Sequence, residues 1–275
     1  MTGIRRLEQR LEAWSSFRDV AHATRSLAAA QALRWSGHLE RASAHLASVQ
    51  AVEGEVSSWS DRAGPRPPRA CAVVALGTDL GLCGRLNQLV AEAVLTTTRE
   101  QEVSTLIVVG SRLDDVLPQE LARVVEPSPS SAVAAADLTE RLETRLARAG
   151  LLGRLCVVGS AGVGRSGNPE VVSAWEPALA AEPRPRRRKP ARFTATPLAR
   201  EQAAALLAHA RLFQALCAAA HAEASVRLAR MTRAHESAER RIGEQERELR
   251  KVRQESITQE MLEVLSGSAQ RWAGP

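Results

Sequence analysis

Apolar and small residues recur at steps of three and four along the start of the chain. They stand at Ile4, Leu7, Leu11, Trp14, Phe17, Ala21, Thr24 and Ala28. This spacing puts them on one face of an α-helix. Residues 1–59 contain no proline, and the Gly-Pro-Arg-Pro-Pro segment at 64–68 ends the pattern. The pattern therefore predicts one long N-terminal helix over residues 1–62.

A second pattern of the same kind fills the end of the chain. Thr196-Pro197 is a good helix start, because proline suits the first helical position. The three–four spacing then holds at Ala224, Leu228, Met231, His235, Ala238, Ile242, Gln245, Leu249, Val252 and Ser256. At 1.5 Å per residue, such a helix would be on the order of 100 Å long and would need a partner. We expect the two terminal helices to form an antiparallel coiled coil.

Three short apolar runs lie between the helices, at 70–76, 105–110 and 155–159. Runs of this length bounded by turn residues are typical of buried strands. Helical patterns lie between them, so the middle of the chain is predicted to be an inserted Rossmann-like α/β domain. The Gly- and Ser-rich residues 160–170 are predicted to form a loop. The expected division is helix 1–62, α/β domain 69–182, basic linker 183–195 and helix 196–275.

Charge and composition narrow the classes of function. The net charge is +6, and almost all of the positive charge is arginine, since the only lysines are Lys189 and Lys251. The basic segment 183–192 has two interpretations, a nucleic-acid or membrane patch and a solvated linker, of which we favour the linker. Residues 223–263 interleave Glu with Arg, as a solvated helix surface does, so no nucleic-acid partner is predicted.

The cysteines and the apolar segments give three further expectations. None of the four cysteines has the spacing of a metal site or of a redox pair, so no metal is predicted and the thiols should be reduced. No apolar run approaches the roughly 20 residues that span a bilayer. The N-terminus lacks the apolar region of a signal peptide. We therefore expect a soluble protein.

Residues 79–87, Asp-Leu-Gly-Leu-Cys-Gly-Arg-Leu-Asn, follow the first predicted strand. Gly81, Gly84 and Asn87 suit a tight strand-to-helix turn. The alternative is a phosphate-binding loop, but the Gly-Lys-Ser/Thr of a P-loop is absent. A second glycine-rich segment, 162–167, resembles a dinucleotide fingerprint only loosely. We therefore expect no cofactor, no small-molecule substrate and no catalytic residues.

Three segments resemble the gamma subunit of bacterial F-type ATP synthase. Residues 253–267 resemble the family's C-terminal signature RQAxITxELxEIVxGA, and residues 79–87 resemble its SDRGLCGGLN motif. Upstream of the C-terminal signature, Glu223, Arg227, Met231, Ala234, Ala238 and Ile242 match the family's SExxxRMxAMxxAxxNAxxLI stretch. Ala28-Ala29-Ala30 falls where the family has MVAAAK. The resemblance covers nearly the whole chain.

The resemblance implies a rotating shaft that couples ion flow to ATP synthesis or hydrolysis. Its implied partners are the alpha and beta subunits that surround the coiled coil, the epsilon subunit and the membrane c-ring. Its implied location is the cytoplasmic face of the bacterial inner membrane, as a peripheral protein. In gamma subunits the residues that match Arg253, Gln254 and Thr258 contact a loop of the catalytic beta subunit, and gamma itself is not catalytic.

The chain also departs from the family pattern. Arg85 replaces the second glycine of the family's Gly-Gly pair, and Leu249-Arg250 replaces a Tyr-Asn pair. The basic linker replaces an acidic, proline-containing segment. These differences fit a divergent sodium- or proton-pumping F-type ATPase that works mainly in hydrolysis. A nucleotide-binding α/β enzyme is the remaining alternative.

Overall fold

The computed structural model describes residues 2–58, 70–152, 155–163, 169–173 and 196–272. The Gly-Pro segment at 64–68, the basic linker at 183–195 and most of the second glycine-rich segment lie outside the described residues. The predicted domain boundaries at 62, 69, 182 and 195 also fall outside them and stay predictions.

The described residues form five helices and five strands, which alternate along the chain except that the fifth strand follows the fourth directly. The elements are α1 (Thr2–Ser58), β1 (Cys71–Leu76), α2 (Leu86–Glu100), β2 (Val103–Val109), α3 (Ser111–Asp114), β3 (Val124–Glu126), α4 (Ala132–Arg148), β4 (Leu155–Val163), β5 (Pro169–Ser173) and α5 (Thr196–Trp272). The two long terminal helices with an α/β domain between them confirm the predicted fold class.

The buried side chains of α1 follow a heptad. They are Leu7, Ala21, Ala28, Trp35, Ala42, Val49 and Val56, which are spaced by seven or fourteen residues. A seven-residue repeat is the mark of coiled-coil packing. The sequence pattern placed Phe17 on the same helix face as these residues, and that prediction is wrong. Phe17 is 46% exposed and packs edge-to-face on Trp14 with ring centroids 5.8 Å apart. The heptad steps from Trp14 to Arg18 and then to Ala21, which leaves Phe17 on the outside.

The contacts divide the chain into two units, residues 1–27 with 229–275 and residues 28–228. In the first unit Glu8 pairs with Arg253, while His22 meets His235 further along α1. From the first pair to the second, the residue number rises on α1 and falls on α5, so the two helices run antiparallel in this unit. All ten seam positions predicted on α5 are buried or partly buried.

The sheet lies in the second unit and has the strand order β3-β2-β1-β4-β5. β1 is parallel to both β2 and β4, and β2 is parallel to β3, whereas β4 and β5 are antiparallel. Sequence patterns did not predict β3 and β5, and residues 160–170 are not simply a loop. The end of β4 and the start of β5 occupy part of that segment. Pro169 is tolerated because β5 is an edge strand that pairs on one side only.

Alternate residues of the strands enter two cores on opposite faces of the sheet. Cys71, Val73 and Ala75 of β1 pack with residues of α2 and α3. Ala72, Val74 and Leu76 pack on the other face with α4 and with residues of both long helices, namely Trp35, Ala42, Leu212, Leu216 and Cys217. Because the inner parts of α1 and α5 share this core, residues 28–228 form one unit.

Within Glu201–Leu265 of helix α5, one 18-residue stretch is apolar enough, with a mean hydropathy of 1.4, to pass a length and composition test for crossing a membrane. This differs from the sequence expectation that no such run exists. The apolar part of α5 includes Leu212, Leu216 and Cys217, which are buried against the sheet. The buried core helix of a protein outside a membrane meets the same test.

Candidate functional site

The glycine turn, residues 77–85, joins β1 to α2 at the carboxyl end of the central strand. Gly84 has a φ of 60°, as its predicted role in the turn requires. Gly81 does not have a positive φ, and a Cβ built on it meets no atom within 4 Å. The second positive φ, 68°, falls on Leu82 instead. A non-glycine residue in this conformation costs about 1–2 kcal/mol, and the Leu82 side chain is 57% exposed.

Asn87 holds the start of the glycine turn. Its Oδ1 accepts a hydrogen bond from the Thr78 backbone N–H at 3.1 Å, and its Nδ2 donates to the Thr78 hydroxyl at 3.0 Å. That hydroxyl donates in turn to the Leu80 carbonyl at 3.0 Å. Asn87 thus holds the start of the turn through Thr78, and these hydrogen bonds do not involve Gly81 or Gly84.

Asp79 occupies the place that a phosphate would need in a nucleotide-binding loop. Its two carboxylate oxygens accept hydrogen bonds from the backbone N–H groups of Ser111 and Ser128, each at 2.7 Å. These residues follow β2 and β3, where parallel α/β sheets bind ligands. Because a carboxylate already satisfies these donors, the geometry favours a structural turn over a phosphate site.

A buried arginine on α5 reaches the glycine turn. The Arg227 side chain is only 8% exposed and forms an ion pair with Glu223, one helical turn earlier. Its guanidinium also donates to the Gly81 carbonyl at 3.4 Å, to the Cys83 thiol at 3.5 Å and to the Gln31 side-chain oxygen at 3.4 Å. We call these five residues the Arg227 cluster. It connects the α/β domain to both long helices within residues 28–228.

The electrostatics of the Arg227 cluster are those of a buried ion pair. Burial raises the pKa of Glu223, and the charge of Arg227 opposes this effect without cancelling it. Removing one partner of such a pair leaves an uncompensated buried charge. Sequence reasoning used Glu223 and Arg227 only as matches to a family pattern and missed this role. The available signal was an i, i+4 pair of opposite charges among small apolar residues.

The three residues predicted to contact a partner lie near the end of α5. Arg253 donates to the Glu8 carboxylate of α1 at 2.5 Å, and the two side chains are 54% and 47% exposed. Gln254 and Thr258 are exposed and one turn apart, and the Thr258 hydroxyl donates to the Gln254 carbonyl at 2.9 Å. The structure thus brings Gln254 and Thr258 together, whereas Arg253 is engaged with α1.

An apolar surface continues beyond these residues. The exposed fractions of Ile257, Met261 and Val264 are 60%, 64% and 72%. With Glu260 and Leu265 they line an open groove of about 320 Å³.

The sequence profile of the family described as ATP synthase matches residues 3–270. This match spans nearly the whole chain, and the chain therefore belongs to the ATP synthase family, in its F1 gamma group. No curated protein gave a significant match.

Solved structures show the same fold. A chain of the Euglena gracilis mitochondrial ATP synthase, from a structure of OSCP, F1 and c-ring, has a TM-score of 0.67 at 15% identity, covering 99% of this chain and 96% of that one. A chain of the rotor from the same organism has a TM-score of 0.66 at 12% identity, covering 93% and 99%. A chain of the Tetrahymena thermophila central stalk and c-ring has a TM-score of 0.58 at 18% identity, covering 78% and 99%.

Proposed function

We propose that this chain is the rotating central shaft, the gamma subunit, of an F-type ATP synthase. The observation that carries the proposal is the family match over residues 3–270 on a fold shared with the central-stalk and rotor chains of Tetrahymena and Euglena. In this proposal alpha and beta subunits surround the coiled coil, and the epsilon subunit and the c-ring bind the shaft. The location is the cytoplasmic face of a bacterial inner membrane.

The proposed mechanism is the transmission of torque without chemistry on this chain. An asymmetric helix pair presents different side chains to each beta subunit as it turns. A contact that is stronger in one beta conformation than in another shifts the population toward the favoured conformation. The catalytic groups belong to beta, and gamma supplies none. Asp79 disfavours the alternative of a nucleotide-binding enzyme, because its carboxylate takes the backbone donors that a phosphate would use.

Assembly gives the first test of this function. When the chain is expressed with alpha and beta subunits, we expect it to co-purify with them in a complex that contains one copy of it. Mass spectrometry of the intact complex measures the stoichiometry. If the chain stays monomeric in the presence of both subunits at micromolar concentration, the proposal fails.

We further propose that Gln254 and Thr258, with Arg253 at the border of their face, contact a loop of the beta subunit. The double change of Gln254→Leu and Thr258→Val should lower ATP turnover of the assembled complex about 30-fold, since each lost hydrogen bond is worth roughly 1 kcal/mol and about 1.4 kcal/mol changes a rate tenfold. Each single change should have a smaller effect. Neither substitution should unfold the helix, because leucine and valine differ in helix propensity from the residues that they replace by only a few tenths of a kcal/mol.

The matched control is Glu246→Gln with Glu248→Gln, because both glutamates are exposed on the same helix. ATPase rate and ion pumping are measured on each complex, and circular dichroism checks helicity. Turnover in the Gln254/Thr258 double variant equal to that of the control would show that these two residues make no productive contact.

A further inference from the structure

The helix pair in the unit formed by residues 1–27 and 229–275 has a small apolar core. Among the residues of this unit that the structure describes, the buried apolar side chains are Leu7, Ala21, Ala238 and Leu249. Two of these are alanines, which remove little apolar area from water. Helices in proteins gain most of their stability from packing, so few favourable contacts hold this pair together.

Two polar residues at seam positions of α5 make this pairing weaker still. The Nδ1 atom of His235 and the Oε1 atom of Gln245 are buried, and neither has a hydrogen-bond partner among the described residues. A buried polar atom without a partner keeps the full cost of its lost hydration. Separation of the helices lets water reach both atoms, so these side chains favour separation more than apolar residues at the same positions would.

A glycine lies between these two polar positions. Gly243 is in the interior of α5, and a Cβ built on it meets no atom within 4 Å. Alanine would therefore fit there, and it favours a helix more than glycine does, because glycine gives up more backbone freedom on folding. Three features that weaken the helix pair are thus concentrated in residues 235–245.

We propose that residues 235–245 are a built-in weak segment of α5, at which the first part of α1 separates from α5 while residues 28–228 stay folded. The core of residues 28–228 buries large side chains such as Trp35 and Leu212, so it needs more free energy to open. The paired ends of α1 and α5 therefore form a local unfolding unit. This inference concerns the dynamics of the helix pair and does not depend on the proposed rotary function.

Hydrogen exchange of the full chain without denaturant, followed by mass spectrometry, tests for this local opening. We expect the backbone amides of residues 10–27 and 235–250 to exchange roughly tenfold faster than those of residues 35–49 and 210–226. The reason is that separation of the helix pair exposes the first two ranges without global unfolding. Equal rates in the four ranges would mean that the chain opens as one cooperative unit, and the proposal would be wrong.

Two substitutions test whether the weak segment sets the rate of opening. Gln245→Leu removes the unpartnered oxygen and should slow exchange in residues 10–27 about tenfold, and Gly243→Ala should slow it about fivefold through helix propensity alone. Neither should change exchange in residues 35–49. Gln9→Leu is the control, because Gln9 is an exposed residue of α1 in the same unit and undergoes the same replacement as Gln245. The proposal fails if both variants exchange like Gln9→Leu, or if they slow exchange equally in residues 35–49.

Discussion

Replacing Arg227 by Met should lower the free energy of unfolding by about 3–5 kcal/mol, the typical effect of removing one partner of a buried ion pair. The Arg227 side chain is 8% exposed and Glu223 is 14% exposed, so Glu223 would keep a buried charge without its counter-charge. The Gly81 carbonyl and the Gln31 side chain would each lose a donor as well. Urea unfolding of the full chain, followed by circular dichroism, measures the loss.

The deficit of Arg227→Met should also depend on pH. Burial already raises the pKa of Glu223, and the substitution removes the attraction of Arg227 that opposes this rise. An acid whose folded-state pKa is raised favours the folded state at low pH and loses that contribution as pH rises through the folded-state pKa. The deficit should therefore be smaller near pH 5 than near pH 8, because a protonated Glu223 needs no counter-charge.

Two variants test whether the destabilisation comes from the broken ion pair or from the loss of any long side chain. Adding Glu223→Leu to Arg227→Met should recover most of the lost stability, because it removes the stranded charge. Lys251→Met is the matched surface control, since Lys251 pairs with Glu255 at the same i, i+4 spacing but is 77% exposed, and it should change stability by less than about 0.5 kcal/mol. A loss below about 1 kcal/mol in Arg227→Met would contradict the structural role of the Arg227 cluster.

Sequence patterns predicted the helices and strands whose buried residues recur at regular intervals or form a continuous apolar run. α1 and α5 have heptad seams with no internal proline after their first turns, and β1, β2 and the first part of β4 are apolar because the sheet is covered on both faces. β3 and β5 were missed because they are edge strands, which pair on one side only. An edge strand of three to five residues does not need a continuous apolar run, so no period identifies it.

The candidate sites were predicted less completely, because their contacts are distant in sequence. The glycine turn was found from its motif, but the donors that hold it come from elsewhere, since Arg227 meets Cys83 across 144 positions. The exposed face of Gln254 and Thr258 follows from helix spacing alone. The hydrogen bond between Arg253 and Glu8 depends on the register in which α1 and α5 pair. The sequence of either helix alone does not determine that register.

Gly110 is a position that the sequence analysis overlooked, and Gly110→Ala should destabilise the chain by about 2–5 kcal/mol. Its φ is 102°, a conformation that side chains rarely adopt. A Cβ there would lie 2.6 Å from the backbone nitrogen of Thr78, in a turn that Asn87 also holds. The unfavourable φ costs about 1–2 kcal/mol and the overpacking typically another 1–3 kcal/mol.

Gly150→Ala separates these two contributions. Gly150 also has a positive φ, 69°, but a Cβ there meets no atom within 4 Å. It should therefore cost only the conformational part, about 1–2 kcal/mol. Urea unfolding of both variants gives the difference, which measures how tightly the end of β2 packs on the glycine turn. Equal losses in the two variants would mean that the Thr78 backbone moves away without cost, and the turn would then be a loose connection and not a rigid base for the Arg227 cluster.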